Sequence, residues 1–169
     1  FSLQFPAELA GVTEVRAGHY LFYDGALLSL GLIRPEDCAL RVRAMVVNRP
    51  DEHSAIVDAG TKTLTSDRAP GWESFGMVVE DPSVEIYKLN EEHGFLRSKQ
   101  PIRFRIAETV SIIPTHACVV PNPSDYLYAT PGGQPDTVTT VDARAPTPLS
   151  PCTQGLSVEL SLWRSSASL

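Results

Sequence analysis

The chain has 169 residues, 43% hydrophobic and 20% charged, with a formal net charge of -6 and an isoelectric point near 5.1. That length supports one hydrophobic core and argues for a single domain, while the acidic balance and the scattered arginines exclude a phosphate-backbone partner, so no nucleic-acid role is expected. No apolar run reaches the roughly 18 residues that span a bilayer, and the opening FSLQFPAELAG lacks the layout of a signal peptide, which gives the expectation of no membrane partner and a cytoplasmic location.

In chain order, the first extended candidate is HYLFYD, His19 to Asp24, closed by the turn pair Asp24-Gly25. A short helical turn is predicted at Pro35 to Leu40, with Pro35 at a first helical position ahead of Glu36 and Asp37, and a second helical turn near the start of the chain. In ALRVRAMVV, Leu40, Val42, Ala44 and Val46 alternate with Arg41, Arg43 and Met45, the period of a half-buried strand. SAIVDAG (Ser54 to Gly60), SVEIYKL (Ser83 to Leu89) and PIRFRIAETVSII (Pro101 to Ile113) read as further strands, separated by turn chemistry at Arg49-Pro50-Asp51, Ala59-Gly60, Asp81-Pro82 and His93-Gly94. Short strands at this spacing predict a mainly β domain, a barrel or sandwich of short antiparallel strands. From Pro121 the chain becomes rich in proline and glycine; a last strand is predicted at Thr137 to Ala143, followed by an irregular tail over 145–169.

Three cysteines, Cys38, Cys118 and Cys152, at unequal spacings make a disulfide framework a poor reading and free thiols or a metal ligand better ones. The segment IIPTHACVVP places His116 and Cys118 two residues apart. If it is extended, both donors point to one side, and Zn²⁺ accepts imidazole nitrogen and thiolate sulfur. No second close pair exists, so the spacing favours an open metal site over a closed one. The competing readings are a buried strand end and a cysteine nucleophile with a histidine base. Glu92 and His93, in Asn90-Glu91-Glu92-His93-Gly94, form an acid/base or ligand candidate at what is otherwise a solvated hairpin tip. Asp58-Ala59-Gly60-Thr61-Lys62 is a candidate anion turn without the spacing of a phosphate loop.

Taken in order, VTEVRAGHYLFYD, DCALRVRAMVVNRP, AIVDAGTKTLTSD, YKLNEEHG and ETVSIIPTHAC resemble the C-terminal domain of the D-threonine aldolase and D-serine dehydratase family, pyridoxal-phosphate (PLP) lyases related in fold to alanine racemase. The resemblance covers about Gly11 to Cys118 and thins through Val141-Asp142-Ala143-Arg144. It implies a β domain over 1–144 that follows an N-terminal PLP barrel, with His116 and Cys118 as ligands of Zn²⁺ or another divalent metal, and Glu92 and His93 shaping the substrate side. It also implies a small D-amino acid substrate, the barrel and a homodimer as partners, and a PLP lysine that lies in the barrel and not in this chain. The cysteine at the second ligand position leans toward dehydration over aldol cleavage. With Phe1 first and no barrel, the chain is expected to be a fragment or truncated product, inactive as a lyase on its own. The alternative is a non-catalytic β domain acting as a binding or oligomerisation module, whose separated surface should expose apolar side chains.

Overall fold

The computed structural model describes residues 10–14, 18–130, 137–141 and 158–160. Its spine is β1 (Leu40–Asp51), which buries Leu40, Val42, Ala44 and Val46 and exposes Arg43 and Met45, as the alternation requires. Val42 to Met45 pair antiparallel with Ile112 to Thr109 of β6 (Thr109–Pro114). Val46 to Asp51 pair with Val57 to Ser54 of β2 (Ser54–Val57). From β2 the sheet continues through β5 (Gly94–Arg97), β4 (Glu85–Leu89) and β3 (Gly76–Val78) to β6, so these six strands close on themselves as an antiparallel barrel. Closure removes the open sheet edges that would otherwise recruit other strands.

The barrel interior is filled by Val42, Val46, Val57, Val78, Ile86, Leu96, Val110 and Ile112, all at most 1% exposed. Each such aliphatic side chain contributes roughly 1.5–3 kcal/mol on burial. Leu64 and Phe104 join the same cluster from outside the strands. Beyond the barrel, β7 (Tyr126–Ala129) pairs antiparallel with β8 (Thr137–Thr140) and parallel with β9 (Val158–Leu160), and β9 pairs with Leu40 to Val42 of β1. The expected last strand is therefore present as β8. Of the expected irregular tail, Val158–Leu160 are a strand and the remainder lies outside the described residues.

Three local expectations are corrected. HYLFYD is not a strand: His19–Leu21 form a 3-10 turn, Tyr23 takes φ +54°, and Asp24 caps α1 (Gly25–Ser29). PIRFRIAETVSII is not one strand, because Ala107 turns the chain at φ +69° and the ladder begins only at Thr109. Arg49-Pro50-Asp51 is not a turn but the end of β1. The short helical turn at Pro35–Asp37 is present, its Arg34 N–H donating to the Asp37 carboxylate at 2.9 Å. A second helix, α2 (Thr61–Leu64), follows the glycine turn after β2.

Candidate metal centre

His116 and Cys118 lie just beyond β6, which ends at Pro114; residues 117–119 form a turn. The pleat of a strand therefore does not set their relation, contrary to the extended geometry assumed from the sequence. Packing against two other segments sets it instead.

The first segment is the start of α1. The Asp24 carboxylate, fully buried, accepts from Ala26 N–H at 3.1 Å and Leu27 N–H at 3.4 Å, which satisfies N-terminal donors that no helical carbonyl reaches. Its other oxygen accepts from Ala117 N–H at 2.9 Å, the amide between His116 and Cys118. Ala26 N–H in turn donates to the Thr115 carbonyl at 3.1 Å. Gly25 permits this approach, since a Cβ there would lie 3.1 Å from the Pro114 carbonyl oxygen and the Thr115 Cα, and 3.0 Å from the Trp72 ring.

The second segment follows α2. Thr115 Oγ1, buried, donates to the Asp67 carbonyl at 2.7 Å, and His116 Nδ1 lies 2.8 Å from Asp67 Oδ2. Two neighbouring residues of the loop thus hold two groups of one aspartate. The His116 side chain is 35% exposed and that of Asp67 53%.

Cys118 is exposed, and its thiol pKa is raised, first by desolvation and then by the negative charge of Asp24. Cys38 is fully buried and its thiol is pushed up to about 12, chiefly by desolvation, with Asp24 adding to the effect. Of the two described thiols, Cys118 is consequently the one that can meet a ligand, and in the absence of a cation it keeps its proton. Cys152 lies outside the described residues.

Glu92 and His93 sit at the exposed tip of the β4–β5 hairpin, which packs on the start of α2. Thr61 and Lys62 donate their N–H groups to the Asn90 and Glu91 carbonyls at 2.8 and 3.2 Å. Lys62 Nζ lies 2.5 Å from Glu92 and 3.3 Å from Glu91. Asp58 accepts from Met45 N–H at 2.6 Å. The Thr61 and Lys62 amides and the lysine side chain of the candidate anion turn are thereby occupied by the hairpin itself. The segment 58–67 joins the two places, meeting the hairpin tip through α2 and His116 through Asp67.

Among the described residues no three of His, Cys, Asp and Glu cluster closely enough to hold a metal ion as a full protein set. The donor chemistry of an imidazole and an accessible thiol fits a soft-to-borderline divalent ion in an open site. PLP does not fit this chain. Lys62 is held as an ammonium by Glu92 and Glu91, which raise its pKa, Lys88 lies over the Phe95 ring at 4.8 Å, and Lys99 is exposed at a bend after β5. None is the desolvated amine that a Schiff base requires. Asp24 carried a local signal, an Asp-Gly pair ahead of the apolar run ALLSL, which is the composition of a helix N-cap. Asp67 reaches His116 across 49 positions and has no local signature. No helix among the described residues is long and apolar enough to cross a membrane.

Residues 39–130 match the family model described as "Putative serine dehydratase domain". The D-threo-3-hydroxyaspartate dehydratase of Delftia sp. strain HT23 is 34% identical over 129 residues, covering 66% of this chain and 34% of that protein. The D-serine dehydratase of Dictyostelium discoideum is 32% identical over 124 residues, covering 64% of this chain and 31% of that protein. The chain therefore spans about a third of the length of these relatives. The solved structure of the Delftia enzyme matches with a TM-score of 0.68 at 31% identity, over 80% of this chain and 40% of that one. The D-threonine aldolase of Filomicrobium marinum matches with a TM-score of 0.66 at 27% identity, over 79% of this chain and 37% of that one. Two further structures, both of a D-threo-3-hydroxyaspartate dehydratase, replace a histidine and, two positions later, a cysteine by alanine; the cysteine variant is described as the metal-free form.

Proposed function

The chain belongs to the serine dehydratase domain family, and on that basis we infer that it is the C-terminal metal-binding β domain of a PLP-dependent lyase acting on D-β-hydroxy amino acids. The observation that carries the reading is the loop after β6, where His116 and an accessible Cys118 stand at the same spacing as the histidine and cysteine replaced in the dehydratase variants. His116 and Cys118 ligate Zn²⁺ or a similar divalent ion. When bound, the ion supplies Lewis-acid polarisation of the substrate's β-hydroxyl. The chain's own part is to hold the two donors: Asp24 clamps the amide between them, Thr115 anchors the loop to Asp67, and Asp67 orients the imidazole.

Cys118 at the second donor position favours D-serine-type dehydration over D-threonine aldol cleavage, in line with the dehydratase in which a cysteine stands there. Glu92 and His93, at the hairpin tip, face the substrate side. PLP and its lysine belong to an N-terminal barrel, with which this domain packs in a homodimeric cytoplasmic enzyme. The isolated domain does not carry out the reaction. The test is metal content after purification without chelator. Zinc retained by the parent and lost in both His116→Ala and Cys118→Ser supports the reading, and zinc retained in either variant contradicts the ligand assignment.

The second reading, a non-catalytic binding or oligomerisation module, is favoured by one observation. Tyr20, Leu21 and Leu30, around the first helix, are 63%, 61% and 58% exposed, as on a surface that packs against another domain. That reading expects self-association without bound metal.

A further inference from the structure

A neutral imidazole offers a metal one nitrogen only, the one without the proton, and the partner of the other nitrogen decides which that is. Free in water, the ring prefers its proton on Nε2, which leaves the lone pair on Nδ1. In this chain His116 Nδ1 is already engaged, 2.8 Å from Asp67 Oδ2, a hydrogen-bonding distance to a group that only accepts when ionised. The contact is built in from both sides. Asp67 is fixed by its main chain, whose carbonyl accepts from the buried Thr115 hydroxyl at 2.7 Å and whose N–H donates to Thr65 Oγ1 at 3.2 Å. His116 is fixed by the loop, which Asp24 holds through Ala117 N–H.

We propose that Asp67 is a positioning residue for His116: its carboxylate holds the proton on Nδ1 and so presents Nε2 as the metal donor. This rests on the reading of His116 as a ligand. It goes beyond that reading by placing the selection of the ligating nitrogen on α2's following segment, remote in sequence from the ligand loop. Asp67 has a positioning role only; it donates no electron pair to the ion. Because the Thr115 bond goes to the main-chain carbonyl of residue 67, any side chain at this position leaves that anchor intact, so the carboxylate can be removed without removing the docking of the loop.

The experiment uses the full chain and two readouts on the parent, Asp67→Ala and Asp67→Asn. The first is the tautomer of His116, from long-range nitrogen–proton correlations of the metal-free protein, recorded at a pH where those correlations themselves show a neutral ring. The second is the Zn²⁺ dissociation constant by chelator competition. The parent is expected to show the Nδ1–H form. Asp67→Ala is expected to revert to Nε2–H and to bind Zn²⁺ about 10- to 100-fold more weakly, the range for loss of such an outer hydrogen bond. Asp67→Asn, whose amide oxygen still accepts, is expected to keep the Nδ1–H form and most of the affinity. An Nε2–H tautomer in the parent, an unchanged tautomer in Asp67→Ala, or an Asn variant no better than the Ala variant would overturn the proposal. A parent that holds the Nδ1–H form through Asp67 but binds no Zn²⁺ would support the hydrogen bond and overturn the metal role; a parent that binds Zn²⁺ through His116 with no effect of Asp67 would overturn this inference and leave the ligand assignment standing.

Discussion

The buried carboxylate of Asp24 accepts the Ala117 N–H at 2.9 Å, bridging the start of α1 to the loop between His116 and Cys118 across 93 positions of sequence. One oxygen caps the helix and the other clamps the loop, so a single side chain satisfies three amides. Asp24→Ala removes an N-cap, which costs about 1 kcal/mol, and leaves the Ala117 amide unpaired, which costs about 1–3 kcal/mol more. Denaturant unfolding should show a loss of roughly 2–4 kcal/mol by this sum, together with weaker Zn²⁺ binding. Asp24→Asn, with one accepting oxygen, should fall between.

Gly60 lies where the hairpin tip meets α2. Its backbone is extended, φ -106° and ψ -157°, so any residue could adopt it; the constraint is steric, because a Cβ there would overlap the main-chain carbonyls of Asn90 and Glu91. Gly60→Ala should therefore push the hairpin off α2 and destabilise the fold by about 1–3 kcal/mol, the range for overpacking. Lys62→Ala, which removes only an exposed ion pair with Glu91 and Glu92, should change stability by less than about 1 kcal/mol. Thermal or denaturant unfolding of the two variants side by side checks the contrast.

Much of the barrel was legible because burial follows alternation. β1 shows it most plainly, and its inward set from Leu40 to Val46 was read directly. The same rule misled at Pro101 to Ile113. Ile102 and Phe104 are buried and Arg103 and Arg105 exposed, so the alternation there is real, yet these residues form no ladder. Periodicity reports which side chains are buried, not whether the backbone has found a partner. β3 and β5, with three and four residues, and α1 and α2, with five and four, are too short for any period to register. At the site, the His-x-Cys pair stands out in the sequence. Asp67 does not, because its contact with His116 exists only once the barrel has brought the two segments together.

The thiols should react in a fixed order. In a Cys152→Ser background, Cys118, exposed, should take up an alkylating reagent in the native state, while Cys38, wholly buried, should resist until unfolding. Added Zn²⁺ should slow labelling of Cys118 and leave Cys38 unaffected. The protection should disappear in His116→Ala. Peptide mapping of the labelled sites reads all three outcomes.

Alkaline pH should destabilise the fold through Cys38. Its folded-state pKa is raised from the ordinary 9.0 to about 12, so the folded chain keeps a proton that the unfolded chain gives up. The stabilisation is fully present below about pH 9 and declines as the pH rises toward 12, by at most about 1.4 kcal/mol per pH unit from this one group. Cys38→Ala should be less stable at neutral pH, because of the cavity, but should show the shallower decline above pH 9, in unfolding curves taken across that interval.

The central claim is that Cys118 and His116 together ligate a divalent ion. Its most direct measurement is the absorption spectrum of the chain titrated with Co²⁺, which reports a thiolate ligand by a sulfur-to-metal charge-transfer band. The band is expected in the parent and in Cys38→Ser, and is expected to vanish in both Cys118→Ser and His116→Ala. A band that survives Cys118→Ser, or a parent that shows none, would contradict the assignment.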